Sequence, residues 1–445
     1  MSARLRVRNG VASLAVLIVL NSACAVARAE AIAIVGGKVY TMGDAGTVEN
    51  GTVIIEDGRI VAAGSDVSVS EDTRRIDAAG KTVTPGIFDA HSYIGIVEIS
   101  LVQETNDSAQ IGNDFAAAFD VADAINPRSS LIPVNRIEGV TRAATAPVSI
   151  APPPGSFAQG KVIAGRGAVI HLGGGDDYLV RRGAATFAVL GEAGQLLAGG
   201  SRAAAILRLR EALEDARDFA GNRASYESNE RRDYAIGRLD LEALQDVLNR
   251  ESPLVLAVNR ASDIKRVIEL KDNFAIDVVV LGGAEGWLVA DDLAEAEVPV
   301  ILDPYANLPT RFETIAATLE NAARLHRAGV TVAFSSSDSH NARNLKQAAG
   351  NAVAYGMPYE AALAAMTVNP ARIYGVEDSY GTLEPGMDAD VVIWDGDPLE
   401  VTTFAEKVFI RGEEMPMVSR STLLRDRYLD RDNPLPPAYR TPGPR

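Results

Sequence analysis

Four histidines, one cysteine and a handful of strand-end acids are the residues of this chain that could do chemistry. The stretch Thr84-Pro85-Gly86-Ile87-Phe88-Asp89-Ala90-His91-Ser92-Tyr93-Ile94-Gly95 opens on a Pro-Gly turn, runs through a short apolar strand and stops at His91 before small and polar residues. A strand that ends this way puts an imidazole at the mouth of a sheet, where it can hold a metal, carry a proton or satisfy a hydrogen bond. A second apolar strand, Val332-Ala333-Phe334, runs into Ser335-Ser336-Ser337-Asp338-Ser339-His340. Asp338 can serve as an acid-base group or cap a helix starting near Asn341, and His340 as a ligand, a proton donor or an ordinary loop residue. His171 ends another strand-like run, whereas His326 continues an apolar helical face (312, 315, 319, 322) and reads as structural. Cys24 lies in the leading segment, so the rest of the chain can use neither a thiol nucleophile nor cysteine-bound zinc.

The elements that must position these groups alternate between strand and helix. Pro253–Val258, Ile276–Leu281, Val298–Leu302 and Val330–Ser335 are near-continuous apolar runs, and Ile206, Leu209 and Leu213 share one face of an intervening helix. Phe312, Ile315, Leu319 and Ala322 have the same spacing. Ser262 is placed to cap one helix, and Gly329 to end another. Apolar strands of this kind predict a parallel sheet covered on both faces, and the span 84–380 suits a closed (β/α)8 barrel. Residues 30–83 contain short strands with an Asp57-Gly58 hairpin signal, and 381–415 repeat that texture. Pairing both ends gives one small β-sandwich. Residues 139–200 are harder to read: Pro152–Gly155 is a stiff loop, Lys161–His171 a strand, and Gly173-Gly174-Gly175-Asp176 a turn without a phosphate-loop lysine. The tail 416–445 reads as an extended surface arm.

Residues 1–29 read as a secretory signal: Arg4, Arg6 and Arg8, an apolar run Val11–Leu20 too short to span a bilayer, and a small-x-small site at Ala27-Arg28-Ala29. Cleavage near Ala29 predicts a periplasmic or secreted protein with no integral membrane segment. The signal carries four arginines and no acid, so its removal takes the formal charge from −16 to −20. So acidic a chain is a poor match for nucleic acid or an anionic membrane, which leaves a small molecule as partner and homo-oligomerisation open.

The motif at His91 resembles the first barrel strand of the amidohydrolase superfamily, Pro-Gly-apolar-apolar-Asp-x-His-x-His, and Gly381–Asp390 resembles its return strand, Leu-x-Pro-Gly-x-x-Ala-Asp. The similarity is greatest to the imidazolonepropionase-like branch. It implies a barrel that hydrolyses non-peptide carbon–nitrogen bonds with water activated by one or two metals. The family's ligands are two histidines of strand 1, a lysine or glutamate of strand 4, a histidine each of strands 5 and 6, and an aspartate of strand 8 that is also the general base. Carried over, His91 and Asp338 are retained, Glu192 is the strand-4 candidate beside Lys161, and Asp338 with His340 form the catalytic pair. Tyr93 replaces the second histidine, Asn259 stands at the end of strand 5, and Glu285 follows strand 6. Tyr93, Asn259, His171 and Glu285 are therefore expected to line the substrate pocket. Loss of a group that merely orients a ligand weakens metal binding about 10–100-fold, so this set implies one divalent ion (zinc, manganese or iron) or none. The reading is a hydrolase of the amidohydrolase type. Its alternative is a non-catalytic periplasmic binding or scaffold protein with a depleted metal site.

Overall fold

The computed structural model describes residues 31–110, 115–151 and 160–429; residues 1–29, expected to be a signal, the Pro152–Gly155 loop and the last part of the tail lie outside them. The first strands are β1 (Ile32–Tyr40), β2 (Thr47–Glu56), β3 (Arg59–Gly64), β4 (Arg74–Asp77) and β5 (Thr82–Pro85). Asp57 and Gly58 join β2 to β3 with φ of 47° and 80°, the paired positive values a two-residue type I′ turn requires. Late in the chain come β14 (Val391–Trp394), β15 (Ala405–Ile410) and β16 (Glu413–Glu414). They complete the same sheet, in the order β16-β15-β14-β5-β1-β2-β3 with β4 beside β1, as the shared strand texture predicts.

Between these halves eight strands form the barrel: β6 (Ile87–Ser92), β7 (Val140–Thr145), β8 (Ile163–His171), β9 (Leu179–Val189), β10 (Leu254–Val258), β11 (Val278–Gly282), β12 (Val300–Leu302) and β13 (Val332–Phe334). All eight contribute to one lumen cluster, which includes Phe88, Ala144, Val169, Ala185, Val255, Val279, Ile301 and Ala333. The alternate residues Leu254, Leu256, Val280, Val300 and Phe334 pack outward against helical residues such as Leu213, Ile264, Val267 and Leu325. Burial on both faces is why these strands are apolar at nearly every position. The ring nearly closes: Ser337 donates its N–H to the His91 carbonyl at 2.9 Å and Tyr93 to that of Asp338 at 3.0 Å, while Phe88 bonds the Met366 carbonyl at 2.8 Å.

Four expectations need correction. The barrel is not all parallel: β8 runs antiparallel to both β7 and β9, and the seven residues 172–178 between β8 and β9 are too few for a crossover helix. Phe312 and Ile315 are exposed (85% and 63%) in a loop with one 3-10 turn, and the helix covers only Asn321–Arg327, leaving His326 in solvent. Ser262 lies inside helix Ala261–Phe274, whose first N–H is taken by the Glu285 carboxylate at 3.0 Å. The tail begins as a helix, Arg420–Leu429, rather than an extended arm.

Asp388 and Asp390 share one arginine partner. Asp390 accepts from Nε of the buried Arg142 at 3.0 Å and Asp388 from Nη2 at 2.7 Å, while the guanidinium lies over the Tyr380 ring at 4.6 Å. One charge on β7 thus joins the barrel base to the sandwich.

Candidate active site at the barrel mouth

Strands β6, β10, β11, β12 and β13 end at the same rim. His91, near the end of β6, is 4% exposed. Its Nδ1 lies 3.1 Å from Ser337 Oγ, and its ring sits edge-on to Tyr93 with centroids 5.5 Å apart and 5.7 Å from Phe187. Burial lowers the imidazole to about 4, so it is neutral at neutral pH. Asp89, two residues earlier, is fully buried. It accepts from the N–H of Ser336 at 3.1 Å, from the Ser336 hydroxyl and from the N–H of His91 at 3.2 Å, yet burial raises it to about 7. Tyr93 is pushed up to about 12 by burial and by the charges of Asp338 and Asp89, so its phenol stays protonated.

Asp338 takes the capping role. Its Oδ1 accepts from the N–H groups of Ser339 (2.6 Å), His340 (2.9 Å) and Asn341 (3.3 Å), and its Oδ2 from the Asn341 side chain (3.0 Å). Burial raises this carboxyl, but those hydrogen bonds outweigh it and hold it below the ordinary carboxylate value. His340 is exposed, and its ring Nδ1 lies 3.4 Å from the Asn341 side chain. His171 is at the opposite end of the barrel, because β8 runs downward. There Nε2 donates to the Asp177 carbonyl at 2.9 Å and Nδ1 accepts from Gly173 at 3.2 Å, which uses both nitrogens structurally.

A second group occupies the rim beyond β9 and β10. Glu192 and Glu313 exchange hydrogen bonds: the N–H of Glu192 donates to the Glu313 carboxylate at 2.7 Å and the N–H of Glu313 to that of Glu192 at 3.1 Å. Asn259 donates to Glu313 at 3.1 Å, and Arg202 lies 3.4 Å from Glu192. Glu313 is 2% exposed although its neighbours Phe312 and Ile315 face solvent, so it pins the loop after β12 to the barrel. Sequence reasoning missed both Glu313 and Ser337. Glu313 lies within an apparent amphipathic helix, and Ser337 is one of three consecutive serines.

Most of these side chains are already engaged by the protein itself. Tyr93 is a protonated phenol, Asn259 a neutral amide bonded to Glu313 and to Ala284, and Glu285 caps a helix. Glu192 is held by Glu313 and Arg202, and Asp338 by its own loop. Among the described residues no three His, Cys, Asp or Glu side chains group as a metal site. What the mouth does offer is a cleft of about 280 Å³ between the strand ends and the loop after β12. Asn259, Leu281, Asp303, Leu308, Ser335 and Ser337 are among its lining residues.

Residues 256–415 match the model of the amidohydrolase family. Amidohydrolase tasK of Hapsidospora irregularis is 24% identical over 84% of this chain, which spans 40% of that relative's length. A 47-residue stretch is 49% identical to imidazolonepropionase of Staphylococcus aureus, covering 11% of each chain. The crystal structure of an amidohydrolase from Thermotoga maritima superposes with a TM-score of 0.76 at 25% identity, over 87% of this chain and 100% of that one. Together these likenesses support the amidohydrolase superfamily.

Proposed function

We propose that this chain is a hydrolase of the amidohydrolase superfamily that cleaves a carbon–nitrogen bond of a small molecule in the cleft at the barrel mouth, outside the cytoplasm. The observation that carries this is the neutral imidazole of His91, buried at the strand end and in contact with a serine that lines the cleft. Active sites of this architecture lie at that face. His91 is the proton carrier; Asp338 is a positioning residue that fixes the turn holding Ser337. No step is assigned to a metal, since the donor set does not suit one. Its depletion relative to the superfamily's ligand pattern is part of the reading.

The test is amine release from amides and ureas, and ring opening of cyclic imides to their acid-amides, by the purified protein after dialysis against chelator, alongside elemental analysis. Turnover without stoichiometric metal is expected. His91→Gln should reduce kcat/KM about 100-fold or more, the usual scale for loss of a positioned acid-base group. No turnover, with or without added zinc, manganese or iron, would refute hydrolysis and leave a binding protein. One equivalent of metal would refute the donor argument.

A further inference from the structure

We infer that Ser337 is the nucleophile of this site, with His91 as its base, so that the barrel runs covalent serine chemistry where the superfamily pattern places metal ligands. The inference deepens the hydrolase reading above and rests on it. Four observations meet at one residue. Ser337 Oγ is 3.1 Å from His91 Nδ1, within reach for proton transfer. Ser337 has φ of 48°, a left-handed conformation that a residue with a side chain rarely adopts and that persists where surrounding structure enforces it. The enforcement is visible: the Ser337 N–H bonds the His91 carbonyl at 2.9 Å, and Asp338 is fixed by four hydrogen bonds. Finally, Ser337 is exposed, lines the cleft, and occupies the turn between β13 and the helical segment beginning at Asn341. A strained strand-to-helix turn that lifts a serine hydroxyl above a sheet, beside an imidazole, is the geometry by which unrelated hydrolases present their nucleophile.

The chemistry balances without any added reagent. The Ser337 Oγ–H bond breaks as Oγ adds to the substrate carbonyl carbon, and its proton passes to His91 Nδ1. Collapse of the tetrahedral adduct breaks the C–N bond, and the leaving nitrogen takes that proton. Water then gives a proton to Nδ1 while its oxygen adds to the acyl carbon; the C–Oγ bond breaks and Oγ recovers the proton. One water is consumed, and an acid and an amine are formed. Leu281, Ala284, Leu308 and Ala317 in the cleft wall favour an amide with an apolar acyl group.

A biotinylated fluorophosphonate, which loses fluoride to an activated serine, is the direct probe. Chelator-dialysed full-length protein should gain the mass of one phosphonyl group, mapped to Ser337 by peptide sequencing. Labelling should be absent in Ser337→Gly and about 100-fold slower in His91→Gln. Glycine relieves the positive φ, so Ser337→Gly should melt no lower than the wild type, which separates lost chemistry from lost folding. Absence of label at Ser337 in a protein that still releases amines, or amine release undiminished in Ser337→Gly, would overturn the nucleophile assignment and leave the hydrolase reading intact. Absence of both label and amine release in the wild type would overturn both.

Discussion

Asp89 and His91 are displaced in opposite directions by one cause, and that has a measurable consequence for stability. Burial moves Asp89 from 3.8 to about 7 and His91 from 6.5 to about 4. A tenfold change in proton affinity corresponds to about 1.36 kcal/mol. The raised carboxyl binds a proton more tightly in the folded state, so its contribution is favourable below about pH 4 and is lost as pH rises towards 7, by roughly 4 kcal/mol in total. The lowered imidazole resists protonation when folded, so its contribution worsens as pH falls from 6.5 to 4, by roughly 3 kcal/mol. Between pH 4 and 6.5 the two slopes, each about 1.4 kcal/mol per pH unit, cancel. Asp89→Asn removes one of them. Its stability relative to wild type should climb by about 1.4 kcal/mol per pH unit from pH 4 to 7, on top of a constant loss from disturbed hydrogen bonds to Ser336. His91→Gln should show the opposite trend, falling relative to wild type over pH 4 to 6.5. Urea unfolding at half-unit pH intervals reads both curves, and taking differences removes the titration of acids distant from the pair. Flat difference curves for both variants would refute the claim that burial dominates these two groups.

Two further outcomes follow from the ion pairs and from the loop. Arg142→Met should leave Asp390 buried without its partner and destabilise the fold by about 3–5 kcal/mol in urea, more than any exposed arginine replaced in the same way. A loss below about 1 kcal/mol would show that the barrel–sandwich contact does not depend on this charge. Glu313→Ala should free the Glu192 N–H and the Asn259 amide, lowering stability by about 1–3 kcal/mol and exposing residues 303–320 to limited proteolysis. An unchanged cleavage pattern would mean that the loop is held by other contacts.

What the sequence disclosed depended on how far each feature reaches. The apolar runs that became β10–β13 were legible because burial on both faces acts residue by residue. The hairpin at Asp57-Gly58 was legible because two positive φ values restrict residue type locally. The reversed strand β8 was also readable in principle: two β-rich runs separated by only seven residues leave no room for a crossover. The loop after β12 misled because spacing at 312, 315 and 319 imitates a helix, whereas the deciding interaction is Glu313 reaching Asn259 across 54 residues. The ion pair of Asp388 and Asp390 was hidden for the same reason, their partner Arg142 lying 246 and 248 residues away.

The site divides along the same line, and this bears on how its chemistry is to be judged. His91 could be found because a motif surrounds it. Ser337 could not, because neither its left-handed backbone nor its distance to His91 is written in the run Ser335-Ser336-Ser337; both arise where the end of β13 meets the end of β6. Set against the ligand pattern, Tyr93, Asn259 and Glu285 register only as losses. Set against what each group touches, the imidazole meets a hydroxyl in an open cleft. Reactivity follows from contact, since a nucleophile is defined by its base and its access to substrate rather than by its position in a pattern.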